Sequence, residues 1–271
     1  LKAGALAGLT GAILSLGIGF VSGGGGISLM NHAVASLLMG VFTGGLVLAV
    51  MPLIENAFKV ATDATLFELT DFNHPLLRKM QVEAPGTYHH SLMVANLSEN
   101  AAIAVGANPI LCRACSLFHD IGKMVQPHYF SENQGEFGNP HNRQNPAMSA
   151  LIIKSHVKEG IDMARENGLP KIIRDVIRQH HGTTLVKYFF HQAKKKIKQE
   201  KLPYGELTDD EPDESTYRYD GPKPRFKESA IIFFADSVEA AARSLSKVTQ
   251  HSVEELLEKI FQDRLEDNQL D

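Results

Sequence analysis

In the stretch LFHDIGK, Leu117 to Lys123, an imidazole and a carboxylate stand side by side after an apolar turn, followed by a glycine and a lysine. Such a pair at a helix end can anchor metal: His119 offers a ring nitrogen, and each oxygen of Asp120 can face a different cation. Three more of the twelve histidines resemble His119 in their setting. His90 is followed by Met93 and Val94, His119 is preceded by Cys115 and Ser116, His156 by Ile152 and Ile153, and His180 by Val176 and Ile177. Residues three and four apart share a helix face, so these rings look inward, where a polar group without a partner costs stability. Asp236, among Ile232, Phe233 and Ala240, must likewise be neutral or paired with a cation. A single inward histidine reads as a hydrogen-bonded core residue. Several of them, together with inward Asp120 and Asp236, are what two divalent metals require. Gly122 is expected to let Lys123 swing toward an anionic substrate.

Helices must hold these groups. The pattern predicts one from about Thr87 to Val105 ending at Gly106, then Asn108 and Pro109 as cap and first helical residue. Asn145 and Pro146 open another, Gly168 closes a third and Pro170 begins a fourth. KESAIIFFADSVEAAARSL and VEELLEKIFQDRL supply two more. No strand alternation appears, and the fold class is all-α. Between Gln199 and Phe226 the chain turns acidic and proline-rich, which predicts a long surface loop or flap. Cys112 and Cys115 read as small buried helix residues, because no second pair completes a soft-ligand site.

From Ala3 to Ile54 there is no Asp, Glu, Lys or Arg. Two apolar runs separated by SGGGGISLMN each approach the ~20 residues that cross a bilayer. The alternative is a buried hairpin in a soluble core. Gly4 and Gly8 set a small-xxx-small spacing suited to close helix contact in lipid. Two spans return the chain to the face it started from, and positive charge flanks that face, which puts the remainder in the cytoplasm. Residues 1–54 are expected to be two transmembrane helices, 55–82 a stalk helix whose apolar residues recur at steps of three and four, and 83–271 the soluble domain. The net charge of −4 gives no cationic field for DNA or RNA.

HDIGK, with the upstream HSLMVA, the pair in QHHGT and ADSVEAA, resembles the HD-domain metal-dependent phosphohydrolase superfamily. ELTDFNHPLLRKMQVEAPGTYHHSLMVANL, SENQGEFGNPHN, IKSHVKEG and YDGPKP, behind membrane spans, are similar to the seven-transmembrane HD family, the PgpH-type phosphodiesterases that hydrolyse cyclic-di-AMP. The resemblance implies an HD-domain helical bundle preceded by two transmembrane helices, the carboxy-terminal portion of a multi-pass protein of the cell membrane. It implies that His90, His119, Asp120 and Asp236 hold one metal and Asp120, His156, His180 and His181 the other, iron or manganese, with His90 preferred to His89. His119, Asp120 and Lys123 are the expected catalytic residues, and the product is 5'-pApA. Lys123, His141 and Tyr129 are expected to meet substrate, and Tyr129, Phe130 and the tyrosines of the acidic segment are candidates for base stacking. The HD-GYP branch, acting on cyclic-di-GMP, is disfavoured because GTT follows the histidine pair without a DGxGYP run. Two rival readings are an HD phosphohydrolase for another nucleotide and a non-catalytic nucleotide-sensing membrane protein. A homodimer is a further candidate assembly.

Overall fold

Backbone polar groups in hydrocarbon must be satisfied within their own segment, so apolar runs of this length become continuous helices. The structure, a computed structural model, describes residues 2–23, 26–58, 60–135, 138–201, 211–245 and 247–270. Helix α1 (Lys2–Val21) has 20 residues, about 30 Å at the rise of an α-helix. Helix α2 (Gly26–Phe58) begins at Gly26 rather than after the whole SGGGGISLMN stretch, drawing Ile27 to Asn31 into the span. The two pack closely along glycines: a Cβ on Gly4 would lie 2.5 Å from the Gly40 carbonyl oxygen, and one on Gly40 2.5 Å from Gly8 Cα. Only 11% of each apolar window is buried. A hairpin sealed inside a soluble core would hide most of that surface, so these helices fit a lipid-facing pair.

The chain divides into two compact units, Leu1–Val60 and Ala61–Asp271, so the boundary falls well before residue 83. The expected stalk over 55–82 is not one helix. Its periodicity is interrupted by local hydrogen bonds that compete with the helix. Thr62 caps α3 (Asp63–Leu69) by accepting from Thr65 N, Asp71 Oδ1 accepts from Asn73 N at 2.9 Å, and His74 Nδ1 caps α4 (Pro75–Glu83) by accepting from Leu76 N. Leu66, Leu69, Leu76, Leu77 and Met80 are buried in the core of the second unit.

That core is built by α5 (Pro85–Val105), α6 (Pro109–Phe118), α7 (Pro146–Glu166), α8 (Lys171–Gln179) and, after α9 (Lys187–Lys201) and the single turn α10 (Glu214–Tyr217), α11 (Lys227–Ala242). Helix α12 (Gln250–Glu266) closes the bundle. Among the described residues there is no strand, only an isolated bridge between Leu185 and Arg218. Asn108 and Asn145 cap α6 and α7 through their side chains, and Gly168 takes the left-handed conformation that ends α7, as the sequence predicts. The N-terminus of α5 follows Ala84, which cannot cap. Asn133 does so from a distant turn, its Oδ1 accepting from Gly86 N at 2.8 Å and Thr87 N at 3.2 Å.

The described part of the acidic segment is not a free loop. Residues 202–210 of the expected flap lie outside the described residues, but Tyr217 is buried against Phe190, and the strap that follows is tied to the 184–186 turn. Val186 N donates to Tyr217 O at 2.8 Å and Tyr219 N to Thr184 O at 2.9 Å.

Gly122 has a role different from the one expected. It lies in the 3₁₀ turn Ile121–Val125 packed on α7, and a Cβ there would collide with the His156 carbonyl and the Gly160 backbone. The glycine permits close approach of two backbones. Gly122→Ala should therefore lower chemical-unfolding stability by about 1–3 kcal/mol, the usual cost of overpacking. Gly135→Ala, which meets nothing within 4 Å, should leave the unfolding midpoint unchanged, and equal effects from the two would contradict this packing.

Candidate metal centre

Five elements deliver seven side chains to one place. His90 comes from the second turn of α5, His119 is the C-cap of α6 with Asp120 next to it, His156 projects from α7, His180 is the C-cap of α8 with His181 next to it, and Asp236 projects from α11. Two groups form, each with ligand atoms within 4.8 Å of one another: His90, His119, Asp120 and Asp236, and Asp120, His156, His180 and His181. These are the two sets the sequence resemblance implies. His89, the competitor of His90, is exposed and outside both.

Asp120 joins the groups. Its Oδ2 lies 3.3 Å from His90 Nε2 and 3.2 Å from His119 Nε2, while its Oδ1 lies 3.4 Å from both His156 Nε2 and His180 Nε2. Asp236 Oδ1 is 3.0 Å from His90 Nε2 and 3.6 Å from His119 Nε2, and its Oδ2 is 3.5 Å from His181 Nδ1.

The ring tautomers follow from the partners behind them. Nδ1 of His119, His156 and His180 lies 2.7, 2.5 and 2.7 Å from the carbonyl oxygens of Ser116, Ile153 and Ile177. A carbonyl only accepts, so each Nδ1 carries a proton and each Nε2 faces inward, with a lone pair there whenever the ring is neutral. His156 Nε2 and His180 Nε2 then face each other at 3.2 Å. Despite the short separations, His90 Nε2, His119 Nε2 and both oxygens of Asp120 are buried without a hydrogen-bond partner. Buried carboxylate oxygens and ring nitrogens facing one another, with Lys123 the one ammonium beside Asp120 among the described residues, are costly to the fold by themselves and are what cations resolve. The residues therefore fit bound metal ions.

Burial pushes Asp120 and Asp236 toward neutrality, but the imidazoles around them, and for Asp120 also Lys123, hold both carboxyls well below the ordinary range. Burial likewise opposes charge on His90 and His119. The carboxylates of Asp120 and Asp236, joined at His90 by Glu239, outweigh it and raise these rings to about 11 and about 9. His156 is driven down to about 3, chiefly by burial.

Lys123 is not free to swing. Its Nζ donates to Glu132 Oε1 at 2.9 Å and lies 2.7 Å from Asp120 Oδ2, with its charged form favoured despite burial by those two carboxylates. Tyr129 and His141 are not brought to the cluster. His141 is buried, donates Nε2–H to the Tyr129 carbonyl at 2.9 Å and packs on Phe189. Phe130 is buried edge-on to His156, so neither it nor Tyr217 offers a platform for a base. Tyr219 stacks on His181, with ring centroids 4.3 Å apart. Cys112 and Cys115 are free and buried, and burial raises both thiols.

Four contacts escaped sequence reasoning. Glu239 pairs with His90 Nδ1, and its position three residues after Asp236, on the same helix face, was the available signal. Glu132 reaches Lys123 through irregular turns that leave no periodic signal. The turn after α12 supports the histidine pair: Gln269 Oε1 accepts from Thr183 N at 2.9 Å and presses on Gly182, whose φ is +53°. Arg218, beside Tyr219, pairs with Asp267 at 2.9 Å.

A model of the HD domain family matches residues 87–241, a span containing all seven residues, and the chain belongs to that family. It is 46% identical over 237 residues to the cyclic-di-AMP phosphodiesterase PgpH of Bacillus subtilis (strain 168), an alignment covering 86% of this chain and 32% of that protein. It is 47% identical over 220 residues to PgpH of Listeria monocytogenes serotype 1/2a (strain 10403S), covering 81% and 29%. The crystal structure of the L. monocytogenes PgpH HD domain superposes with a TM-score of 0.65 at 48% identity, over 73% of this chain and 87% of that one, and the same domain in complex with cyclic-di-AMP matches equally well. The chain thus spans about a third of the length of the curated relatives it matches.

With the neighbouring carboxylates favouring the protonated forms of His90 and His119 in the metal-free protein, a cation can be bound there only by displacing those protons. Titrating metal-free protein with Mn²⁺ at pH 7.5 should acidify a weakly buffered solution, and affinity measured by equilibrium dialysis should fall as pH is lowered toward 5. Uptake without proton release would contradict the protonation described.

Proposed function

We propose that this chain is a phosphodiesterase that hydrolyses cyclic-di-AMP to linear 5'-pApA at a centre holding two divalent cations, iron or manganese. One observation carries the reading: two sets of inward ligand atoms share Asp120. The substrate is taken from what the PgpH relatives are named for and from the complex of the L. monocytogenes domain. When bound, such cations lower the pKa of water and polarise phosphoryl oxygens. The protein's part is placement. His119, locked by its bond to Ser116 O, and Asp120, with one oxygen toward each set, fix where a phosphodiester can sit. The Lys123 ammonium behind Asp120 offsets negative charge that develops on the phosphoryl oxygens as the 3'-oxygen leaves. His90, His156, His180, His181 and Asp236 complete the two sets.

In this reading α1 and α2 are the last two spans of a multi-pass protein of the cell membrane, with the HD domain in the cytoplasm. Cyclic dinucleotide, lipid and a second copy of the chain are its partners, and the burial of Leu66, Leu69, Leu76 and Leu77 in the domain's own core keeps those residues out of a homodimer surface.

The test is product analysis on a panel of cyclic-di-AMP, cyclic-di-GMP and nucleoside triphosphates, with metal-loaded protein. Cyclic-di-AMP should be cleaved to 5'-pApA with the highest kcat/KM. Asp120→Ala should lose about 10³-fold, equivalent to ~4 kcal/mol of transition-state stabilisation. Equal turnover by Asp120→Ala, or preference for another substrate on the panel, would overturn the assignment.

A further inference from the structure

Among the inward histidines of the centre, His90 is held differently. Where His119, His156 and His180 each donate Nδ1–H to the carbonyl three residues back, the His90 ring crosses to another helix and pairs its Nδ1 with Glu239 Oε2. Helicity does not force this, because His156 also lies inside a helix and still uses the carbonyl of Ile153.

Helix α11 grips the ring from both ends. Asp236 Oδ1 stands 3.0 Å from Nε2, and Glu239, one turn on, holds Nδ1. Glu239 is itself fixed from the next turn by Arg243, whose Nε lies 3.2 Å from the same Oε2. His90, Glu239 and Arg243 line a cavity of about 650 Å³, yet the Glu239 side chain is only 11% exposed, so the carboxylate contacts the ring largely out of water. A carboxylate behind an imidazole fixes its tautomer and plane and makes the opposite nitrogen a stronger donor, and loss of such a partner costs 10- to 100-fold in metal affinity.

We propose that Glu239 is a positioning residue for the His90, His119, Asp120 and Asp236 set, orienting His90 and setting the affinity of that cation site and not of the other. The proposal rests on the two-cation reading above but not on the identity of the substrate.

The experiment is titration of metal-free protein with Mn²⁺, free ion being counted by electron paramagnetic resonance. Wild type is expected to bind two ions; a different stoichiometry would overturn the two-cation reading. Glu239→Gln, which keeps size and an acceptor oxygen but removes the charge, should weaken one site by 10- to 100-fold and leave the second within twofold. Combined with His90→Ala it should add nothing to the loss that His90→Ala causes alone, since the two act through one ring. Arg243→Ala should change the affinity less than Glu239→Gln. Wild-type affinity at both sites in Glu239→Gln, an equal loss at both, or additive losses with His90→Ala would overturn the assignment to Glu239. Should Glu239→Gln not fold, the ¹⁵N-labelled Zn²⁺-loaded wild type supplies the same test. Its His90 Nδ1 proton, assigned against His90→Ala, should lie downfield of those of His119, His156 and His180, and a position among them would equally overturn the proposal.

Discussion

Everything in the second unit is organised around an excess of buried acceptors. Asp120 and Asp236 bring four carboxylate oxygens to the centre, and three histidines whose Nδ1 protons are committed to backbone carbonyls turn Nε2 toward them. Lys123 is the one ammonium beside Asp120 among the described residues, and it is shared with Glu132. A hydrophobic isostere at these positions would cost the fold less, so stability alone does not account for the cluster.

The scaffold meets this demand with ordinary local devices. Histidines at the C-caps of α6 and α8 find a carbonyl three residues back that no longer belongs to the helix interior, which locks the ring without a dedicated partner. Gly122 and Gly160 let the 121–125 turn approach α7 closely enough for Asp120 to reach His156. Asn133 closes the exposed N–H groups of α5 and so fixes the start of the helix that carries His90. Placement of the ligands is thus a sum of caps and close backbone contacts, while the apolar core around Phe118, Ile177 and Ile232 gives rigidity.

The inward polar residues were legible in the sequence because each breaks an apolar helix face, a local signal that survives without coordinates. His90 was separable from His89 only by the resemblance. The stalk misled for the converse reason: 55–82 keeps a helical period, and the period does not reveal that Thr62, Asp71 and His74 interrupt it with side-chain bonds. Tyr129 and His141 looked available because they neighbour a polar loop, but His141 is turned into a second small core with Phe189. The ties of Tyr217 and Tyr219 to the 184–186 turn join segments more than thirty residues apart, beyond the reach of any periodicity.

The contacts of Gln269 with Thr183 and of Asp267 with Arg218 give the turn after α12 a reach that its distance along the chain conceals. It buttresses the backbone directly after His181 and the strap that lays Tyr219 over that ring, so a helix that carries none of the seven side chains is mechanically part of the inner chamber. Loosening that turn is an intervention on the imidazole, made from outside.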